Sequence, residues 1–329
     1  MNRILVLSTT GMGDCLWGTP ALRALKKSFP GLVLHLVVNA RWRSLFHGNP
    51  HVDRIIPYHP QWYRQPAPGF NLLPYRYDAV LIFHANRDIT RLLPWLRYKS
   101  LWAHQNSSWI PEENKVPIEG VVHGIQRRLT LIEKLGARPD GGAMEIYFDD
   151  GERGAGEAFL RKNRLASREF IYINVGASAP HRKWPESRFL ELAQILLRKT
   201  DHRIVLGGGA AEKKVILEML KDLDPNRCAH SLDLPLKTDT HVIGQARLLI
   251  TCDTGPMHIG FALKVPTAAL FGPYDPRGTG PFQLEENRCI MIHPSSGGIF
   301  SPRADYHQAD LEQISVSQVW EKVREVLAV

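Results

Sequence analysis

The chain has 329 residues, 44% of them hydrophobic and 22% charged, which suits a globular protein of about two domains and excludes a disordered, collagen-like or coiled-coil chain. Its net charge of +8 is unevenly placed: residues 1–165 hold 22 basic and 14 acidic side chains, whereas residues 166–329 hold 19 of each. An excess confined to one half reflects either an anionic partner or a solubilising surface.

Short β-rich apolar runs alternate with helix-period segments along the chain, the pattern of βαβ units and a parallel sheet. Residues 3–8 (RILVLS) read as the first strand and 19–28 (TPALRALKKS) as a helix ending at Phe29-Pro30-Gly31. Strands are expected at 32–38 and 78–83, separated by a loop at 57–76 that is rich in Pro and aromatic residues, among them Trp62 and Tyr63. Helices follow at 123–136, stopped by Gly136, and at about 152–164. A polar stretch at about 165–169 reads as the linker, after which strand 170–176 restarts the alternation. Helix 186–199, strand 203–209, helix 211–221 and strands 248–253 and 267–272 complete the second half, and 316–329 has helical spacing of Val, Trp and Leu. The expected fold class is therefore α/β, with two doubly wound domains.

The four cysteines, Cys15, Cys228, Cys252 and Cys289, are far apart, so neither a zinc site nor a disulfide framework is expected and a reducing cytoplasm fits. The apolar run Ile4–Leu7 is too short for a signal-peptide core, and no window approaches 18 apolar residues.

In parallel α/β sheets, ligands bind beyond the carboxyl ends of strands, where helix N-termini favour anions. Four strand-to-helix turns therefore stand out. The first contains Gly11, Met12, Gly13 and Asp14; Leu16 occupies the last glycine position of a dinucleotide fingerprint, so nicotinamide binding is poorly supported. Asp14 is either a helix cap or a cleft carboxylate able to act as a general base. The second, Gly176 to Pro185, carries His181, Arg182 and Lys183, cations suited to a diphosphate or merely to a solvated loop. In the third, Gly207-Gly208-Gly209, glycines admit a ligand and Glu212 either accepts from sugar hydroxyls or caps its own helix. The fourth, Thr251-Cys252-Asp253-Thr254-Gly255-Pro256-Met257-His258, places Pro just inside a helix start, so that free amides face an anion, with Asp253 and His258 at the same mouth.

With these turns in view, the chain resembles glycosyltransferase family 9, the ADP-heptose lipopolysaccharide heptosyltransferases. Segments 4–31, 173–193, 204–213 and 252–276 carry the likeness in order, the last, which ends in LFGPYDP, being the most specific. The H-x-x-x-R-x-L pattern of helix 123–136 adds to it.

The resemblance implies a GT-B architecture: two Rossmann-like domains facing a cleft, an acceptor-binding domain at 1–165, a nucleotide-sugar-binding domain at 166–315, and helix 316–329 crossing back to the first. It implies inverting, metal-independent transfer of heptose from ADP-heptose to the inner core of lipopolysaccharide, with no cofactor. Asp14 matches the family's general base, beside the acceptor-side loop Gly11, Met12 and Gly13. Ser178, Arg182 and Lys183 match its phosphate-contacting loop; the order Arg then Lys before Trp-Pro is inverted from the usual one, leaving open which cation grips the diphosphate. Glu212 falls near the nucleotide-contacting acid, and Asp253, Thr254, Gly255 and His258 match the D-T-G-x-x-H donor signature without a gap. The implied location is cytoplasmic, peripheral on the inner membrane. Transfer from another nucleotide sugar, a protein acceptor and nucleotide-sugar epimerisation are the alternatives within this fold. Nucleic acid is not an expected partner, because no helix-turn-helix, RRM-type or finger motif is found.

Overall fold

The computed structural model describes all residues except 61–71, 105–109, 121, 178, 273–274, 284–288, 293–308 and 328–329. The chain divides into two compact units, Met1–Tyr147 and Phe148–Val329.

Unit 1 begins with β1 (Arg3–Ser8), α1 (Met12–Leu16), α2 (Thr19–Ser28), β2 (Val33–Asn39) and β3 (Arg54–Tyr58). It continues with β4 (Arg76–His84), β5 (Arg97–His104), β6 (Lys115–Val116) and α3 (Gly124–Glu133). Its strands pair in parallel in the order β3-β2-β1-β4-β5-β6. A parallel sheet covered on both faces needs strands that are apolar throughout, and Ile4 to Leu7 of β1 are fully buried. β3, where no strand is expected from the sequence, ends within the segment read as loop from residue 57. Pro57 within it obscures the strand signal, yet β3 is the sheet edge, where a missing N–H is tolerated.

Unit 2 contains α4 (Asp150–Lys162), β7 (Phe170–Asn174), α5 (Glu186–Lys199), β8 (Arg203–Gly207), α6 (Lys213–Lys221), β9 (Cys228–His230) and α7 (Leu236–Gln245). After these come β10 (Leu248–Cys252), α8 (Gly255–Ala262), β11 (Thr267–Leu270), α9 (Pro276–Thr279), β12 (Cys289–Ile292), α10 (Ala309–Glu312) and α11 (Val316–Leu327). The strand order, β12-β11-β10-β7-β8-β9, repeats that of unit 1, and every pairing is again parallel. Two six-stranded units of this kind constitute the GT-B two-domain α/β architecture.

Two sequence expectations about the units need correction. The division falls at 147/148 rather than 165/166, because α4 is bound to unit 2. Gly156 leaves the space that the His241 ring of α7 fills, Glu157 Oε1 lies 3.0 Å from His241 Nε2, and Glu152 lies 3.5 Å from Lys237 Nζ. Moving the boundary does not alter the charge split. Residues 1–147 hold 18 basic and 10 acidic side chains, and residues 148–329 hold 23 of each.

The second correction concerns the C-terminal helix, whose apolar stripe is spent on unit 2. Val316, Val319, Val323 and Leu327 of α11 are buried in one core with Ile171, Trp184, Phe189 and Leu196. Trp184 ties the two ends of that core. It is fully buried, meets Phe189 edge-on at 5.0 Å, and donates from Nε1 to the Ile314 carbonyl at 2.9 Å, just before α11 begins. Replacing Trp184 with Ala should lower stability by about 3–5 kcal/mol, read as a drop in the urea midpoint of the full-length chain. A midpoint unchanged from the parent would show that the loop and α11 are not held through this ring.

Candidate active site

In both sheets the chain winds outward from a central strand and returns on its other side, so the switch points lie between β1 and β4 and between β7 and β10. The loops leaving such a pair diverge and open a crevice at the carboxyl edge of the sheet.

At the switch point of unit 1, the pairing of β1 with β4 shifts register between Leu7 and Ser8, so that Ser8 stands opposite His84. A bulge of this kind re-aims the strand end. Thr9 N–H donates to the His84 carbonyl at 2.8 Å, and Asn86 N–H donates to Thr9 Oγ1 at 3.0 Å, tying the two loops together. From β2 and the turn after it, Asn39 Nδ2 donates to the Thr9 carbonyl and Trp42 Nε1 to the Thr10 carbonyl at 3.1 Å. The loop that carries Asp14 is thus braced from the ends of two neighbouring strands, β2 and β4.

Asp14 is not a helix cap. Gly11 is the N-cap of α1, with Met12, Gly13 and Asp14 forming the first turn. A Cβ on Gly11 would lie 3.1 Å from Asp14 Oδ2, so the glycine keeps the carboxylate clear. Thr10 Oγ1 donates to Asp14 Oδ2 at 3.2 Å, and His84 Nδ1 lies 2.6 Å from Thr10 Oγ1 and 3.4 Å from the same carboxylate oxygen. With the Thr10 proton directed to Asp14, the network assigns the His84 proton to Nδ1, donating toward Thr10 and the carboxylate. Arg128 of α3 completes the surroundings, its guanidinium 3.6 Å from Asp14 Oδ1 and donating to the Asp14 and Gly124 carbonyls. It stacks over Trp17 at 5.2 Å and is only 3% exposed.

Burial works to raise the Asp14 pKa, but the hydrogen bond and charge of His84, the Arg128 charge and the Thr10 hydroxyl outweigh it and hold the carboxyl well below the usual range. Burial brings Arg128 down to about 10, so it is still a cation at neutral pH. The arrangement is a fixed, ionised carboxylate whose side chain is 26% exposed, beside an exposed imidazole. Its chemical capacity is to accept a proton from a ligand at the crevice.

At the switch point of unit 2, the loop after β7 and the turns after β8 and β10 meet. Asn174 Nδ2 donates to the Gly176 carbonyl and to Thr251 Oγ1, bridging the two central strands. Glu212, 7% exposed, accepts from Gly209 N–H at 3.0 Å and so closes its own turn, as the capping reading expects. Its other oxygen lies 3.7 Å from Lys183 Nζ, which also pairs with Glu186 at 2.6 Å. Gly176 and Gly208 pack against the Glu212 side chain, where a Cβ would crowd it. Arg182 ends the 3₁₀ turn Pro180–Arg182, half-buried. Ser178 lies outside the described residues.

Thr254 is the N-cap of α8, but its hydroxyl turns back to the Cys252 carbonyl at 3.3 Å rather than capping the first turn. Gly255 therefore presents its N–H at the mouth of the helix. Asp253 is buried at the end of β10, with Thr279 Oγ1 3.5 Å from its carboxylate, and His258 is buried one turn into α8 and edge-on to Phe261. Within unit 2 the expected donor-side residues other than Ser178 thus follow the carboxyl ends of β7, β8 and β10.

A family model described as glycosyltransferase family 9 (heptosyltransferase) matches residues 96–297. The chain belongs to this family. Among curated relatives, lipopolysaccharide heptosyltransferase 1 of Salmonella typhimurium is 24% identical over 87% of this chain and 93% of its own length. Lipopolysaccharide heptosyltransferase 2 of the same organism is 23% identical over 99% of each. In fold the chain is similar to a family 9 glycosyltransferase from Veillonella parvula, with a TM-score of 0.84 at 20% identity, covering 99% of this chain and 97% of that one. It is likewise similar to the E. coli ADP-heptose heptosyltransferase II structure, with a TM-score of 0.78 at 22% identity over 99% and 98% of the two chains. Family membership makes the protein a glycosyltransferase.

Three residues around Asp14 escape sequence reasoning. Thr10 and His84 sit 74 positions apart and meet only through strand pairing. The H-x-x-x-R-x-L spacing selects Arg127, whereas Arg128 is the residue that reaches Asp14.

Because the folded-state pKa of Asp14 lies below its unfolded value, the stabilisation from its partners is complete above about pH 4 and is lost as pH falls further. Asp14→Asn should therefore cost about 1–2 kcal/mol at pH 7, discounted for partial exposure, with the difference from the parent narrowing below pH 4 in acid-titrated melts. A gap that widened in acid would contradict the pairing described.

Proposed function

We propose that this glycosyltransferase moves a heptose from ADP-heptose to the inner core of lipopolysaccharide, inverting the anomeric centre without a metal ion. The observation that carries the reading is Asp14: an ionised, partly exposed carboxylate held by Thr10, His84 and Arg128 at the switch point of a family 9 glycosyltransferase. The names of the curated relatives supply the sugar and the acceptor class, and the name of the similar E. coli structure supplies the ADP-heptose donor.

In the proposed step, an acceptor hydroxyl oxygen attacks the anomeric carbon as the bond from that carbon to the ADP oxygen breaks. Asp14 takes the hydroxyl proton, which moves late, once the attacking oxygen has become acidic. A carboxylate of lowered pKa can serve this way because it need only receive a proton from an oxygen already bonding to carbon. His84 and Thr10 keep Asp14 oriented. The ADP leaves with its negative charge met by Arg182, Lys183 and the Gly255 amide, in the role a metal ion would otherwise fill. Lys183 is steadied for this task by Glu186 and Glu212, while Asp253 and His258 orient the sugar, and Ser178 joins the phosphate-contacting loop. Arg41, Arg43 and Arg87, exposed on the segments that follow β2 and β4, suit a phosphorylated core acceptor.

The excess charge on unit 1 supports a protein working at the anionic cytoplasmic face of the inner membrane by peripheral contact. No helix among the described residues is long and apolar enough to cross a membrane.

The deciding experiment incubates the purified protein with a panel of ADP- and UDP-sugars and truncated core acceptors, with and without EDTA, and identifies products by mass. Heptose transfer from ADP-heptose to a core acceptor, unchanged by EDTA, is the expected result; inactivity of ADP-heptose on every core acceptor would overturn the reading. Asp14→Asn should lower kcat by about 10²–10⁴-fold with donor affinity unchanged, whereas His84→Gln should give a smaller loss, also in kcat. Lys183→Gln should instead raise the donor KM by at least about tenfold, as removal of a charge-assisted contact predicts.

A further inference from the structure

Strands that run in parallel also begin together, and the starting edge of unit 1 has its own concentration of charge. There the first residues of β1, β4 and β5, adjacent strands in the sheet, line a concavity of about 640 Å³. That volume lies within the range of small-ligand sites. The edge is the one opposite Asp14 and His84: β4 runs from Arg76 here to His84 there, about 26 Å at 3.3 Å per residue.

Arg76 and Arg97 stand in register on β4 and β5 and are both exposed. Neighbouring strands lie about 4.8 Å apart, so two like charges are held side by side, an arrangement that costs stability. Neither has a hydrogen-bond or ion-pair partner among the described residues. The carboxylate of the concavity, Asp78, is already committed: it accepts from Lys99 Nζ at 2.6 Å and from the backbone N–H groups of Asn2 and Arg3. Those three donors hold its pKa well below the usual carboxylate range. Asp78 thus neutralises Lys99 and leaves the two arginines unbalanced.

Beneath them, Arg3 stacks over Tyr75 at 5.1 Å and Arg54 does so at 5.3 Å, while Arg3 Nε is buried without a hydrogen-bond partner among the described residues. The field of these cations reaches inward. His35, which contacts Tyr75 edge-on and Tyr77 Oη at 3.0 Å, has its pKa lowered to about 4 by burial and then by Arg54 and Arg3, against a weaker opposing pull from Asp53. Tyr98, an exposed large hydrophobic side chain, lines the same concavity.

We propose that this concavity binds a phosphate-bearing anion, gripped by the guanidinium groups of Arg76 and Arg97. Two planar forks on adjacent strands match the several oxygens of a phosphate group, and an anion between them relieves their mutual repulsion. Exposed Tyr98, which lines the concavity, gives the rest of such a ligand an aromatic surface to lie on. The site is separate from the transferase crevice and does not depend on the donor and acceptor proposed for it.

A free phosphate compound and a phospholipid headgroup present the same chemistry, and binding measurements on the full-length chain distinguish them. Inorganic pyrophosphate is titrated calorimetrically into protein carrying Arg182→Gln and Lys183→Gln, which removes the donor-side cations. Sedimentation is then measured with phosphatidylcholine vesicles, with and without phosphatidylglycerol. Adding Arg76→Gln and Arg97→Gln should weaken whichever probe binds by at least about tenfold. The thermal midpoint should not fall, because a repulsive pair is removed. Binding of pyrophosphate identifies a free phosphate compound as the ligand type, and binding only of the phosphatidylglycerol vesicles identifies a headgroup. The proposal is overturned if neither probe binds, if binding survives the double substitution, or if Lys134→Gln with Arg138→Gln, two exposed cations elsewhere on unit 1, weakens it equally.

Discussion

Parallel pairing brings every strand of a unit to its end on the same edge, and in both units the central strand pair lies where the direction of winding reverses. The rest of the molecule's chemistry depends on this. Loops after β1 and β4 diverge to opposite faces of their sheet, as do those after β7 and β10, and short polar segments from distant parts of the chain meet there. The cost of parallel pairing is that the strands must be buried on both faces, which explains the unbroken apolar runs of β1, β7 and β10 and the helices packed against them.

Within unit 1 that geometry converts an ordinary Asp into a controlled one. Burial by itself favours the neutral acid, and a proton acceptor needs the opposite. His84, Thr10 and Arg128 reverse the balance, each delivered by a different element: the end of β4, the turn before α1 and the middle of α3. Arg128 can remain buried because Asp14, two backbone carbonyls and the Trp17 ring share its charge. An unpaired cation at that depth would be strongly destabilising. Stability and chemical readiness are therefore properties of one network.

Unit 2 distributes its charges differently. Its formal balance is zero, and its loop cation Lys183 is held between two carboxylates. Local pairing keeps such a site specific without a surrounding field, whereas unit 1 carries the whole surplus of the chain and attracts anions over a longer range. The like-charged pair Arg76 and Arg97, at the far edge from Asp14, is one place where that surplus is concentrated rather than spread.

Much of this was legible in the amino-acid sequence, because it depends on local chemistry. The apolar runs and glycine-rich turns announced two doubly wound α/β units. Helices 19–28 and 186–199 fall where their periodicity places them, and the turns containing Asp14, Lys183, Glu212 and Asp253 were visible as strand-to-helix junctions. Edges and partners were another matter. Pro57 hid an edge strand whose tolerance of proline depends on which strand lies beside it. The α11 stripe declared an amphipathic helix but not the core it fills, and α4 could be allotted to unit 2 only once His241 was seen beside Gly156. Above all, His84 and Arg128 carry no mark in the sequence that ties them to Asp14, since strand register and helix packing, not spacing along the chain, set those distances. Sequence periodicity by itself determined the layers and the turns that carry chemistry; only the tertiary structure decided which charges meet, because those contacts join residues tens of positions apart.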